Sequence, residues 1–286
     1  MNKMIIRKSK IIALTLLTYF IVVSFVISGL TIKGASNEII FYPKDNYQYF
    51  EVESKARDKL SVKGWLLKND TSEKLVIISH GWSGNRSTLI PLALYLQNAG
   101  FNVITFSYRG ETGQNSYGLY EKLDLQAILE FANENNFSNA NISLIGHSMG
   151  GIPVAHMANE IELDKIIFVS SVINTFESKL KFSQDISTFA PTLLNSFVTF
   201  FERFYHGISI YSPHQVIPYI NEPTLIMHGY QDEKSSIDEV NRIKDLKLDN
   251  ISFYLVDGDH NVFLRNVDQI KLYKEKIEEF LNEQEA

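Results

Sequence analysis

Six short, charge-free and largely apolar runs constrain the fold of this 286-residue chain more than any other feature. They are Leu75–Ser79, Val103–Ser107, Ile142–Ile145, Ile166–Ser170, Thr224–Met227 and Ile251–Val256. None of them alternates polar with apolar residues. A strand with one wet face must alternate, so these runs read as strands covered on both faces, as in a mostly parallel sheet flanked by helices. Helices are predicted between and after them at Thr88–Asn98, Glu121–Asn135 and Val267–Asn282. In the second, Leu125, Ile128, Leu129 and Ala132 recur at i, i+3, i+4 and i+7. Gly100 supplies a stop for the first. This alternation predicts an α/β fold. Ahead of it, Ile39–Phe41, Tyr47–Glu53 and Leu60–Leu67 predict a three-stranded meander.

The N-terminus has a different texture. Residues 1–10 carry Lys3, Arg7, Lys8 and Lys10 and no acid, a balance of +4 in a chain whose net charge is −6. Residues 11–30 carry no charge. As a helix that run is about 30 Å long, the thickness of a bilayer core. A basic flank before it predicts a single-pass signal-anchor in the cell membrane, with residues 1–10 cytoplasmic and residues 31–286 outside. The alternative is secretion after signal cleavage, but a cleaved signal has a shorter apolar core and a small-x-small site. The best nearby candidate, Lys33-Gly34-Ala35, has lysine where a small residue is wanted.

The acidic balance of the remainder argues against bulk nucleic-acid binding, which needs a basic footprint. With no cysteine there is no disulfide, thiolate metal site, thiol nucleophile or lipidation site of the lipoprotein type. Residues 171–220 separate two strand runs by far more than an ordinary loop. This insertion carries Phe197, Phe200, Phe201, Phe204 and Tyr205. A helical cap over a pocket is expected there; a helix packed on the sheet or resting on a membrane surface would also fit.

The chemistry centres on Gly146-His147-Ser148-Met149-Gly150. This is a Gly-x-Ser-x-Gly elbow between a buried strand run and a helical segment, the setting that exposes the serine oxygen. A serine hydroxyl needs a base to take its proton and an acid to orient that base. Of seven histidines, His80 and His147 lie inside tight motifs, His156 in the helix after the elbow, and His206 and His214 in the insertion. His228 ends a strand run. His260 alone pairs a C-terminal position with a loop leaving a strand's carboxyl end, where α/β sites are built. The acid is assigned to Asp232, 28 residues earlier; Asp257 and Asp259 adjoin His260 too closely to grip it well. Negative charge developing on a substrate oxygen would be met by the backbone N–H groups of Met149 and of Trp82, in the loop after Leu75–Ser79.

Together, His80-Gly81-Trp82, Gly146–Gly150, His228-Gly229-Tyr230-Gln231-Asp232 and Gly258-Asp259-His260 resemble the α/β-hydrolase superfamily. Tyr108-Arg109-Gly110, Gly118 and the Glu121–Asp124 pair add to the likeness, which covers roughly residues 60–282. The branch it most resembles is that of the small bacterial esterases and the catalytic domain of prolyl-oligopeptidase-like serine hydrolases. The resemblance implies a mostly parallel sheet, a cap after the sixth strand and a Ser148–His260–Asp232 triad. Glu111-Thr112 departs from the pattern by delaying the usual glycine. The expected function is that of a membrane-anchored esterase or lipase with no metal or organic cofactor, acting on a small-molecule or lipid-like ester. A peptidase or acyltransferase with the same triad is the alternative, and a non-catalytic binding protein of this fold a further one.

Overall fold

The computed structural model describes residues 2–32, 38–39, 41–43, 47–56, 58–111, 116–186, 191–205, 212–265 and 267–283. Eight strands form one sheet: β1 (Tyr47–Glu53), β2 (Ser61–Leu67), β3 (Leu75–Ser79), β4 (Asn102–Ser107), β5 (Ile142–His147), β6 (Ile166–Val169), β7 (Thr224–Gly229) and β8 (Ile251–Val256). Their order is β1-β2-β4-β3-β5-β6-β7-β8. The pairs β1/β2 and β2/β4 are antiparallel, and all those from β4/β3 onward are parallel. Every residue of β3 to β7 is buried, as unbroken apolar runs require.

Alternate side chains of each strand feed two cores. On one face Leu75, Ile77 and Leu144 pack with helices α3 (Leu119–Glu134), α4 (Gly151–Ala158) and α7 (Ile237–Asp245). On the other, Val76, Ile78 and Ile145 pack with α2 (Ile90–Asn98), the short α8 (Val262–Arg265) and α9 (Val267–Asn282). The glycine stop works as expected. Gly100 has φ +104°, its N–H donates to Gln97 O, and Phe101 N–H donates to Leu96 O.

The meander is smaller than predicted. Ile39 and Phe41–Pro43 have no regular structure, and Ile40 lies outside the described residues. Since β2 is already paired on both sides, a third strand would have to dock on the outer edge of β1, with Pro43 lacking a donor. Tyr42 packs on the buried Trp65 instead.

Between β6 and β7 lie helices α5 (Thr175–Ile186) and α6 (Pro191–Tyr205), followed by two 3-10 turns at Pro213–Gln215 and Ile217–Tyr219. His206 and Lys33-Gly34-Ala35 are outside the described residues. The N-terminal run belongs to helix α1 (Asn2–Ile32), in which Ile6–Gly29 is long and apolar enough to cross a membrane. One face of α1 packs on α6 through Phe20 and Ile27 against Leu194 and Val198. Ile11, Ile12, Leu14, Leu16, Leu17, Val22 and Val26 are exposed.

Candidate active site

The carboxyl ends of β3, β5, β7 and β8 converge on one point. At the end of β5 the chain turns through Ser148, whose φ is +53°, into a 3-10 turn and then α4. A non-glycine residue there carries strain of about 1–3 kcal/mol, which the surrounding structure must hold. Two glycines make the turn possible by their lack of a side chain. A Cβ on Gly146 would lie 2.6 Å from Gly151 Cα, and one on Gly150 would overlap the carbonyl oxygens of Ser79 and His80. Hydrogen bonds fix the turn: Ser171 Oγ donates to Gly146 O at 2.7 Å, Ser79 Oγ to Gly150 O at 3.0 Å and Val172 N–H to Ser148 O at 3.0 Å.

Asp232 sits three residues beyond β7 and His260 in the turn between β8 and α8. The two loops are stitched together, because Tyr230 N–H donates to Val256 O and Gln231 N–H to Gly258 O. The structure thereby brings together the three residues assigned from sequence. Ser148 Oγ is 2.8 Å from His260 Nε2, and His260 Nδ1 is 2.8 Å from Asp232 Oδ2. A carboxylate can only accept, so Nδ1 carries the proton and Nε2 accepts from the serine hydroxyl. Asp232 Oδ1 accepts the N–H groups of Lys234 and Ser235 at 2.8 and 2.9 Å. Asp257 and Asp259 are exposed, and Asp259 caps the N–H of Asn261.

The electrostatics separate the histidines. Burial raises the pKa of Asp232, but the His260 hydrogen bond and charge and the Ser235 N–H outweigh it, leaving the carboxyl below its ordinary value and ionised at neutral pH. Burial lowers His80 to about 4, and burial with the neighbouring His260 and His80 lowers His147 to about 3. Both are neutral at pH 7. His80 Nδ1 donates to Gly81 O at 2.8 Å, which shapes the loop carrying Trp82. His228 Nε2 donates to Ser235 O at 2.9 Å and lies 3.4 Å from Asp232 Oδ2.

A cavity of about 330 Å³ opens over Ser148 and His260, with Trp82 and Met149 beside them. Ile152 and Val172 give it an apolar wall. The sequence reading did not find its remaining lining: Tyr117, Thr175, Ser178, Lys179 and Lys181, with Glu233 and Lys234 at the Asp232 loop. Lys179 forms a buried ion pair with Glu202 of α6, its ammonium 4.5 Å from the Tyr117 ring. Burial lowers the Lys179 pKa against the opposing pull of Glu202. The helical periodicity of 175–186 was the one available signal, and it does not say which face meets a cavity. The departing Glu111 is bound in ion pairs with Arg86 and Lys63; Thr112 is outside the described residues. Among the described residues no group of three or more His, Asp and Glu side chains could hold a metal ion.

Comparison with known proteins agrees with this architecture. A sequence model of the alpha/beta hydrolase fold matches residues 74–209. The structure superposes on the esterase Pf2001 of Pyrococcus furiosus with a TM-score of 0.71, over 88% of this chain and 97% of that one, at 24% identity. The chain has the α/β-hydrolase fold. A bacterial membrane phospholipase A shares this α/β-hydrolase architecture with a TM-score of 0.58 and 16% identity, over 99% of this chain and all of that one. By sequence, the uncharacterised protein YqkD of Bacillus subtilis is 24% identical over 77% of this chain and 75% of its own length. At these identities the structural likeness is one of α/β-hydrolase fold, which hosts many chemistries.

Proposed function

We propose that the protein is a membrane-anchored serine hydrolase that cleaves carboxylic esters through an acyl-enzyme on Ser148. The observation that carries this reading is the unbroken chain from Ser148 Oγ through His260 to the ionised Asp232, open to a cavity with an apolar wall. In the first step Ser148 Oγ attacks the ester carbonyl as its proton passes to His260 Nε2. Asp232 holds the imidazole in register and stabilises its charge. The N–H groups of Met149 and Trp82 receive the developing oxyanion. His260 then protonates the leaving alcohol, and water activated by the same histidine releases the acid. Burial makes His80 and His147 weak bases, and His260 is the histidine hydrogen-bonded to the serine.

Retention of α1 as an anchor is supported by its contact with α6, since a cleaved segment would leave Leu194 and Val198 uncovered. The likeness to a membrane phospholipase A extends over 99% of the chain, α1 included. It favours a lipid-like ester over a peptide, and so does the apolar wall of Ile152 and Val172. In this reading residues 1–10 are cytoplasmic, 11–30 span, and 31–286 are the extracytoplasmic hydrolase domain with 171–220 as its cap.

A fluorophosphonate probe should label the wild-type chain and not Ser148→Ala; labelling that survives in the variant would overturn the assignment. Hydrolysis rates for short-chain esters, long-chain esters and aminoacyl amides separate an esterase from a peptidase with the same triad.

A further inference from the structure

Helix α6 has two apolar faces, and among the described residues only one of them is packed inside the protein. Leu194 and Val198 form a small core with Phe20 and Ile27 of α1; Phe197 stacks on Phe20, and Phe201 meets Phe25 edge-on. The second face is a stripe of Leu193, Phe200 and Phe204, spaced i, i+7, i+11 and left 46%, 55% and 78% exposed. The Phe200 and Phe204 rings stack at 5.5 Å. Polar Thr192, Ser196 and Arg203 occupy the exposed arc beyond it. An apolar stripe bordered by polar residues on one helix is the pattern of a helix lying in a membrane interface.

What covers the stripe follows from where α6 is attached. The α1 residues that pack on it, Phe20 to Ile27, fall in the last ten of the apolar stretch Ile6–Gly29. At 1.5 Å per residue that contact lies within roughly 14 Å of the outer end of the apolar stretch, its upper part within the ~5–10 Å to which interfacial helices sink. Ser24 and Ser28, four residues apart and fully buried, lie on the same side of α1, the small-residue spacing by which helices approach each other in lipid. The exposed face of α1 and the stripe of α6 therefore form one continuous apolar surface.

We infer that α6 lies in the outer interface of a phospholipid bilayer beside α1, with Leu193, Phe200 and Phe204 among the acyl chains. This rests on the reading of α1 as a retained membrane span. The Lys179–Glu202 pair ties α6 to α5, and α5 supplies Thr175, Ser178, Lys179 and Lys181 to the cavity over Ser148. The cavity wall is thereby fixed to the lipid surface, and an ester held in the outer leaflet reaches Ser148 without crossing bulk water.

The cysteine-free chain allows a direct test. Full-length Leu16→Cys, Ser196→Cys, Phe200→Cys and Phe204→Cys variants carry an environment-sensitive fluorophore in phosphatidylcholine vesicles doped with lipids spin-labelled at shallow or deep acyl positions. Shallow quenching at 200 and 204, deep quenching at 16 and none at 196 is the expected result. Quenching at 16 without quenching at 200 and 204 overturns the placement of α6 while the span stands; blue-shifted but unquenched 200 and 204 would mean that a second copy of the chain covers the stripe. Equal quenching at 196 and 200 overturns it as well. No quenching at 16 removes the span, and the inference with it. As a second readout, Phe200→Ser/Phe204→Ser should lose turnover of a vesicle-borne ester and keep that of a water-soluble one; equal loss on both, or none, overturns the inference.

Discussion

The strand-end site and the two-helix insertion differ in how much of each is shaped locally. At the site short-range turns aim the key side chains: Ser148 by a strand–turn–helix with glycines on either side, and Asp232 by the N–H groups of Lys234 and Ser235 two and three residues on. Bonds from Ser79 at the end of β3 and Ser171 just beyond β6 then pin the elbow. The insertion is fixed by remote partners. Lys179 finds Glu202 twenty-three residues away, and α6 finds α1 across more than 160 residues of sequence. Local encoding gives rigid, specific chemistry. Remote encoding gives a part whose place depends on what it is packed against.

The comparison predicts that the chemistry can be removed without disturbing the insertion. Ser148→Ala should abolish ester turnover, a loss of roughly 10⁶-fold in kcat, with circular dichroism and protease resistance of the insertion unchanged. Loosening of α5 and α6 in that variant would show that the two regions are coupled. Asp232→Asn should keep the fold but lose about 10⁴-fold, because an amide cannot hold the His260 Nδ1–H tautomer. A loss below tenfold on a soluble ester would mean that Asp232 does not act as the orienting acid.

The converse variant strikes the insertion. Lys179→Ala removes the buried ammonium that pairs with Glu202. Breaking such a pair costs about 3 kcal/mol, so the opened insertion should become ~100-fold more populated. Limited proteolysis within 175–205 should accelerate, while the urea midpoint of the sheet stays put. Lys179→Met/Glu202→Leu should restore resistance by removing both charges. If the single variant lowers the global midpoint as much as it speeds cleavage, the insertion is not a separate unit.

That same division explains what could be read from the sequence. The sheet was legible because burial on both faces erases alternation, and eight of the nine expected strand runs are strands within a residue or two. The elbow was legible because its glycine spacing is a steric necessity, seen in the clash any Cβ at 146 or 150 would make. His260 and Asp232 were found by position relative to strand ends. The cavity lining on α5 was not found, since polar residues such as Thr175 and Ser178 read as a solvated face until a partner is known. The α1–α6 contact was hidden for the same reason: apolar periodicity marks a face as buried without naming its cover. Ile39–Phe41 failed because strand character in a run does not supply a ladder: β2 is paired on both sides, and at the outer edge of β1 Pro43 has no donor to offer.

The two regions should also part company with pH. His80 and His147 both border the site, and neither α5 nor α6 contains a histidine. Their folded-state values are depressed to about 4 and about 3, so the unfolded chain takes up a proton below about pH 6.5 that the folded chain refuses until pH 4 or lower. The unfolded state thus binds more protons in that window, and stability is full above it and falls as pH drops. Each histidine contributes a slope of up to ~1.4 kcal/mol per pH unit between about pH 6 and 4. Urea midpoints at pH 7 and pH 5 should show the decline, and His147→Gln should flatten it in part, since burial depresses His156 and His228 as well. Proteolysis of α5 and α6 in the folded protein should keep the same rate across the range. A pH-independent midpoint would mean that these histidines are hydrated and not buried; cleavage that rises in step with the falling midpoint would mean that the insertion opens only when the sheet does.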